Sequence, residues 1–173
     1  MRLKKGFFLF LLFPMVSIGQ SRQIKIWRKD QPLTWSDFKG SIDTNSSLDA
    51  ITTSGDTVLY RWHTINKQIQ LEFTCYSLMI QSRSWIRPSK KTDALLRHEQ
   101  LHFNISELFM RKVLKELSNT RFSVNFEKEI KSIVQKEKRE REAMQSLYDN
   151  ETQHSHNSIQ QRKWEEYINM LLN

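Results

Sequence analysis

The hydrophobic pattern of this chain changes period at Pro88, and that change sets the architecture. Before it, apolar residues alternate with polar ones, as in IQLEFTC, where Ile69, Leu71, Phe73 and Cys75 fall at every second position. A period of two belongs to a half-buried strand. After it, Leu101, Ile105, Phe109, Val113 and Leu117 recur every four residues, the spacing of one helix face. Strands first and helices afterwards place the chain in the α+β class.

The same patterns locate the elements. Strands are expected at Thr57–His63 and Gln68–Ile80, joined by a turn over 63–67, with a short third element at Ser82–Ile86. Pro32–Gly40 (PLTWSDFKG) reads as an ordered turn or short strand whose Trp35 and Phe38 pack the sheet. Ser89 or Thr92 caps a helix that begins near Asp93 and ends near Ser118–Asn119. A second, antiparallel helix spans Ser123 to Tyr148; its middle, QKEKRERE, reads as a solvated face. A loop over Asp149–Asn157 leads to a last helix with Trp164, Ile168 and Leu171 on one face. The expected fold is a small N-terminal antiparallel sheet, then a motif-bearing helix, a long antiparallel second helix and a C-terminal helix.

The first 19 residues stand apart. Arg2, Lys4 and Lys5 precede an apolar run from Phe7 to Ile18, and the small residues Ser17 and Gly19 follow. This is the pattern of an export leader, too short for a comfortable membrane span, with cleavage expected after Gly19. Residues 20–173 then form a single domain, exported to the periplasm or secreted. Its net charge is about +5, the chain's +8 less the leader's three positives (8 − 3). A moderately basic domain suits association with anionic envelope surfaces. No basic-and-aromatic motif of the nucleic-acid-binding kind accompanies that charge, so no nucleic-acid partner is expected. The single cysteine, Cys75, has no intrachain partner and is read as a buried strand position.

Chemistry is concentrated in LLRHEQLHFN, Leu95–Asn104. On a helix, His98 and His102 project from one face a turn apart and can offer two imidazole nitrogens to one ion. Glu99, beside the first of them, can take a proton from water that a zinc ion has polarised. This is the H-E-x-x-H arrangement. A catalytic zinc needs a third protein ligand and one open position. Glu107 lies nine residues past His98, about 180° round a straight helix, and faces elsewhere. An antiparallel second helix returns the chain to the motif and emerges at YDNETQHSHN, so His154 is the preferred third ligand. His156 is the alternative, with Glu137, Glu140 and Glu142 behind it. Tyr148 can donate a hydrogen bond to a tetrahedral intermediate or pack between helices. Asp149 or Glu151 can orient a ligand imidazole or sit in water. Arg97 is a surface charge or a substrate contact.

Four segments resemble a known family: LTWSDFKG (Leu33–Gly40), AITTS (Ala50–Ser54), LLRHEQLHFNISELF (Leu95–Phe109) and YDNETQHSHNSIQQRKW (Tyr148–Trp164). The family comprises small exported bacterial proteins catalogued as a domain of unknown function and described as zinc-dependent proteases. The resemblance implies a zincin-like domain with His98 and His102 as ligands and Glu99 as catalytic acid/base. That family's pattern usually has glycine after its last histidine, which aligns with His154, where this chain has Ser155.

The expected activity is hydrolysis of a peptide or protein substrate by a zinc metallopeptidase, with an exposed strand of the preceding sheet holding an extended peptide. Two alternatives remain at this level: a non-catalytic envelope-binding module with a structural zinc, and an amidase acting on cell-wall peptides.

Overall fold

A computed structural model describes residues 6–11, 23–66 and 68–173. The sheet has four antiparallel strands in the order β1-β4-β5-β2: β1 (Gly6–Leu11), β2 (Ile24–Ile26), β4 (Ser54–Ile65) and β5 (Gln68–Ile80). A separate two-stranded ribbon pairs β3 (Ala50–Ile51) with β6 (Trp85–Ile86). Three helices follow: α1 (Asp93–Asn119), α2 (Phe126–Thr152) and α3 (Ser158–Leu172). The architecture is therefore the α+β arrangement expected, a small antiparallel sheet followed by three helices. The expected leader lies largely outside the described residues, as does its cleavage point; its stretch Gly6–Leu11 runs as β1 along β4.

The β4–β5 hairpin zips further than the sequence suggested. Pairing continues to Ile65 and Gln68, and Asn66 turns the chain with φ 48°. Asparagine tolerates the left-handed region that tight hairpin turns require, so the longer turn over 63–67 is not needed. The third element also contracts: Gln81–Arg83 forms a 3₁₀ turn and only Trp85–Ile86 pair. Cys75 is half-buried on β5, and burial pushes its thiol pKa up to about 12, which keeps it protonated and inert.

The LTWSDFKG segment is a structural clamp. Trp35–Asp37 is a single 3₁₀ turn. The buried Asp37 carboxylate accepts from Lys25 Nζ (2.8 Å), Gln81 Nε2 (2.8 Å) and the Thr34 backbone (2.8 Å). Burial opposes its ionisation, but the Lys25 ammonium and these hydrogen bonds hold its pKa below the ordinary value. Gly40 donates to the Ser84 carbonyl at 2.8 Å, and a Cβ there would meet that oxygen at 3.0 Å. Leu33 is buried under α1, its backbone N–H donating to Gln100.

Helix α1 is the centre of the molecule. Thr92 caps it, accepting from Leu95 N–H at 3.2 Å. Met110, Val113 and Leu117 pack with Val58 and Tyr60 of the sheet and Ile130 of α2. Leu101, Ile105 and Phe109 pack with Tyr148 of α2 and with Trp164 and Ile168 of α3. In α3 the third apolar core residue is Leu172, whereas Leu171 is 39% exposed, so the last core position falls one residue later than expected. The QKEKRERE stretch is not solvated throughout: Glu137 and Arg141 are buried, and Arg141 forms an ion pair with Asp56 of β4.

Candidate metal centre

The one-turn spacing on α1 brings His98 Nε2 and His102 Nε2 to 3.1 Å of each other. The third group at this point is Asp149. Its Oδ1 lies 3.2 Å from His98 Nε2 and 2.9 Å from His102 Nε2. The sequence predicts that the second helix ends at Tyr148, with Asp149 in a loop. In the structure α2 runs a further turn to Thr152, whose buried hydroxyl donates to the Tyr148 carbonyl at 2.6 Å. Asp149 therefore projects from a helix, in line with Gln145 one turn earlier.

His98, His102 and Asp149 are a group whose geometry fits a metal ion. For a tetrahedral ion with ligand bonds of about 2.0–2.1 Å, neighbouring ligand atoms lie about 3.3 Å apart. The observed separations fall slightly inside that edge length. Electrostatics favour a cation between these groups. Burial disfavours the His102 imidazolium, but the Asp149 carboxylate and the nearby Glu99 outweigh it and raise the His102 pKa. Burial likewise opposes Asp149 ionisation, yet hydrogen bonds and charge from the two histidines hold its carboxyl well below the ordinary range.

Each imidazole has a glutamine behind it. His102 Nδ1 lies against Gln145 Oε1, and Gln145 Nε2 donates to the His102 carbonyl at 2.9 Å. His98 Nδ1 lies 3.2 Å from Gln161 Oε1, and Gln161 Nε2 donates to Glu165 Oε1 at 2.9 Å. Neither glutamine is identifiable from sequence, because amides on helices carry no pattern that separates support from surface.

Glu99 is 3% exposed, lines the same cleft as the triad, and its Oε2 has no hydrogen-bond partner among the described residues. A buried carboxyl oxygen without a partner is costly and is characteristic of a site poised for chemistry. Tyr148 is fully buried and stacks on His98 with ring centroids 4.6 Å apart. Its hydroxyl lies 2.7 Å from Gln161 Oε1 and 3.2 Å from the His98 carbonyl, inside the protein rather than on the cleft.

His154 is on the cleft rim, its side chain 53% exposed, with Nδ1 3.4 Å from Asp149 Oδ1. It stands beside the three-residue group rather than in it, and the exposed His156 also lines the cleft. Gln153, His154 and Ser155 have φ of 51°, 50° and 78°. Three consecutive non-glycine residues in the left-handed region store strain, and strain of this kind collects at functional sites.

Other singled-out residues have structural partners. Glu107 faces the sheet, contacting Ser77 N–H and Arg111. Glu151 accepts from Trp164 Nε1 at 2.7 Å and ties the end of α2 to α3. Arg97 is a surface partner of Glu165 at 3.7 Å.

The cleft encloses about 520 Å³. One wall is the β3 segment, Asp49 to Thr52; the other is α1 and α2, with Ser106, Arg141 and Gln145 beyond the triad. Neither the curated proteins nor the solved structures contain a match to this chain. Residues 80–157, which carry Glu99, the triad and the strained loop, match the bacterial family described as "Bacterial protein of unknown function (DUF922)".

Proposed function

We propose that this protein is an exported zinc-dependent metallohydrolase that cleaves peptide bonds, with Glu99 as its general base. The observation that carries the reading is the meeting of His98 Nε2, His102 Nε2 and Asp149 Oδ1 at 2.9–3.2 Å beside a buried, unpartnered Glu99 oxygen. Two imidazoles and one carboxylate are a donor set that zinc takes in hydrolases, with a fourth position left open. Zinc bound there supplies Lewis acidity, which polarises a carbonyl and lowers the pKa of water. Glu99 accepts the proton of the attacking water and delivers it to the leaving nitrogen. The β3 main chain pairs with β6 on one side and lines the cleft, so it offers backbone donors and acceptors to an extended peptide. The leader-like N-terminus and basic charge support action outside the cytoplasm, near anionic envelope surfaces.

Zinc analysis of the purified protein, with wild type beside Glu99→Gln, tests this. One zinc per chain is expected in both, with hydrolysis of a peptide mixture reduced by at least about 10²-fold in the variant. A fully active Glu99→Gln overturns the role. Asp149→Ala should lose zinc and His154→Ala should keep it; the reverse pattern establishes the loop histidine as third ligand.

A second reading follows from the position of His154. If this ring swings onto the ion as a fourth protein ligand, no position remains for water, and the domain is an envelope-binding module with a structural zinc. Zinc retention together with no hydrolysis of either proteins or cell-wall peptides favours that reading. Cleavage of cell-wall peptides alone identifies an amidase.

A further inference from the structure

We propose that Gln145 and Gln161 are positioning residues of the metal centre. They are two neutral amides that lock both ligand imidazoles with Nδ1 protonated and the Nε2 lone pair free for the ion. The proposal rests on the zinc reading above and extends it to α3, which carries none of the ligands.

The direction in which each amide points fixes the proton on the ring it faces. Gln145 Nε2 faces the His102 backbone carbonyl at 2.9 Å and the Ser106 hydroxyl at 3.3 Å. A carbonyl only accepts, so the NH2 group must lie on that side and Oε1 must face the His102 ring. Gln161 Nε2 faces the Glu165 carboxylate at 2.9 Å, and Gln161 Oε1 receives the Tyr148 hydroxyl at 2.7 Å. Reversing this amide would set oxygen against carboxylate oxygen. Both Oε1 atoms therefore point at imidazole Nδ1, and each Nδ1 must carry the hydrogen. The remaining ring nitrogens then present lone pairs to each other and to Asp149 Oδ1 at 2.9–3.2 Å. Three acceptors at that separation are mutually repulsive unless a proton or a metal cation lies among them.

The arrangement explains two residues of the terminal segment. Gln161 holds His98 in place from α3, and Trp164 packs Tyr148 against that contact with ring centroids 5.5 Å apart. It also has an electrostatic consequence. A carboxylate behind a ligand imidazole makes it more basic, whereas an amide fixes its orientation without adding charge. Asp149 is then the only anion in the ligand set, and the ion keeps more of its Lewis acidity.

The test compares wild type with Gln145→Met, Gln161→Met and Gln145→Glu, measuring zinc affinity by chelator competition and ring protonation by nitrogen NMR of the zinc-loaded protein. Melting of the zinc-free proteins confirms that each variant folds; if Gln161→Met does not, the Gln145 pair decides. The expected result is zinc binding weakened about 10- to 100-fold in each Met variant. Gln145→Glu, which keeps an acceptor behind Nδ1, should recover most of the loss. In wild type, both rings should ligate through Nε2 with hydrogen on Nδ1. Met variants that bind zinc as tightly as wild type, or ligation through Nδ1, overturn the proposal while leaving the zinc reading intact. A wild-type protein that takes up no zinc overturns both.

Discussion

The two halves of α1 share one helical period and do opposite work. Between Leu108 and Asn119 the buried positions are all apolar: Leu108, Phe109, Met110, Val113 and Leu117. Between Asp93 and Ser106 the buried set includes His98, Glu99 and Ser106. The first arrangement gains stability from every residue it covers. The second desolvates polar groups, offsets part of that cost with the Gln145 and Gln161 contacts, and leaves a Glu99 oxygen unsatisfied. A single amphipathic helix thus anchors the domain at one end and holds a destabilising site at the other.

The largest effect that separates the halves should come from Leu117→Ala. This side chain is 1% exposed in the α1–α2–sheet cluster, and truncation should cost about 2–5 kcal/mol. Urea unfolding should show that loss, while zinc affinity of the folded protein stays at the wild-type level. Weakened zinc binding in this variant would mean the halves are coupled rather than divided.

Next in size is a pH effect in which the stability of the zinc-free protein and the stability that zinc adds should change in opposite directions. In the zinc-free protein the His102 pKa is raised from its ordinary 6.5, because the Asp149 and Glu99 charges outweigh burial. The stabilisation from that proton is fully present below pH 6.5 and is lost as pH rises through the folded-state value. Asp149, whose pKa is lowered, contributes stability that is lost only in strong acid, as pH falls through its folded value. Zinc must displace the His102 proton, so its affinity should increase with pH by about tenfold per unit until the folded pKa is passed. Thermal melts across pH 5–9 should therefore show the zinc-free protein weakening as pH rises while the zinc-induced gain grows, about 1.4 kcal/mol per unit.

Glu99→Leu should be smaller and positive. Replacing a buried, unpartnered carboxyl oxygen with an apolar group should stabilise the zinc-free fold by about 1–2 kcal/mol while abolishing hydrolysis. A destabilised variant would show that Glu99 is satisfied in solution and that the functional half is less frustrated than its contacts indicate.

The same division governs what the sequence makes legible. The apolar half of α1 announces itself through its four-residue spacing, and the Thr92 cap and H-E-x-x-H motif are local signals readable without a fold. Asp149 is not local. Asp149 and Asn150 are weak helix formers, and only tertiary packing around Tyr148 and Thr152 carries α2 through them. Gln145 and Gln161 are ordinary surface residues by type and become site residues only once α2 and α3 are docked. The β3–β6 ribbon, two residues on each side and 35 apart in sequence, has too short a pattern to be recognised before the chain is folded.

The smallest expected effect lies at the rim of the functional half. Ser155 sits at φ 78° after two other left-handed residues, where glycine avoids the Cβ clash. The resembling family usually has glycine there, and the backbone gives the physical reason. Relief of that clash is worth about 1–2 kcal/mol, less the roughly 0.5–1 kcal/mol of extra unfolded-state entropy that glycine brings. Ser155→Gly should therefore raise stability by up to about 1 kcal/mol, or a melting temperature about 2–4 °C higher. Zinc affinity supplies the sharper reading. If strain at 153–155 serves only to close the chain onto α3, relieving it should leave zinc binding unchanged. If it holds His154 beside Asp149 for a purpose, a freer loop should change zinc affinity in Ser155→Gly and not in Ser155→Gly combined with His154→Ala. That double-variant comparison separates a strained connection from a working one.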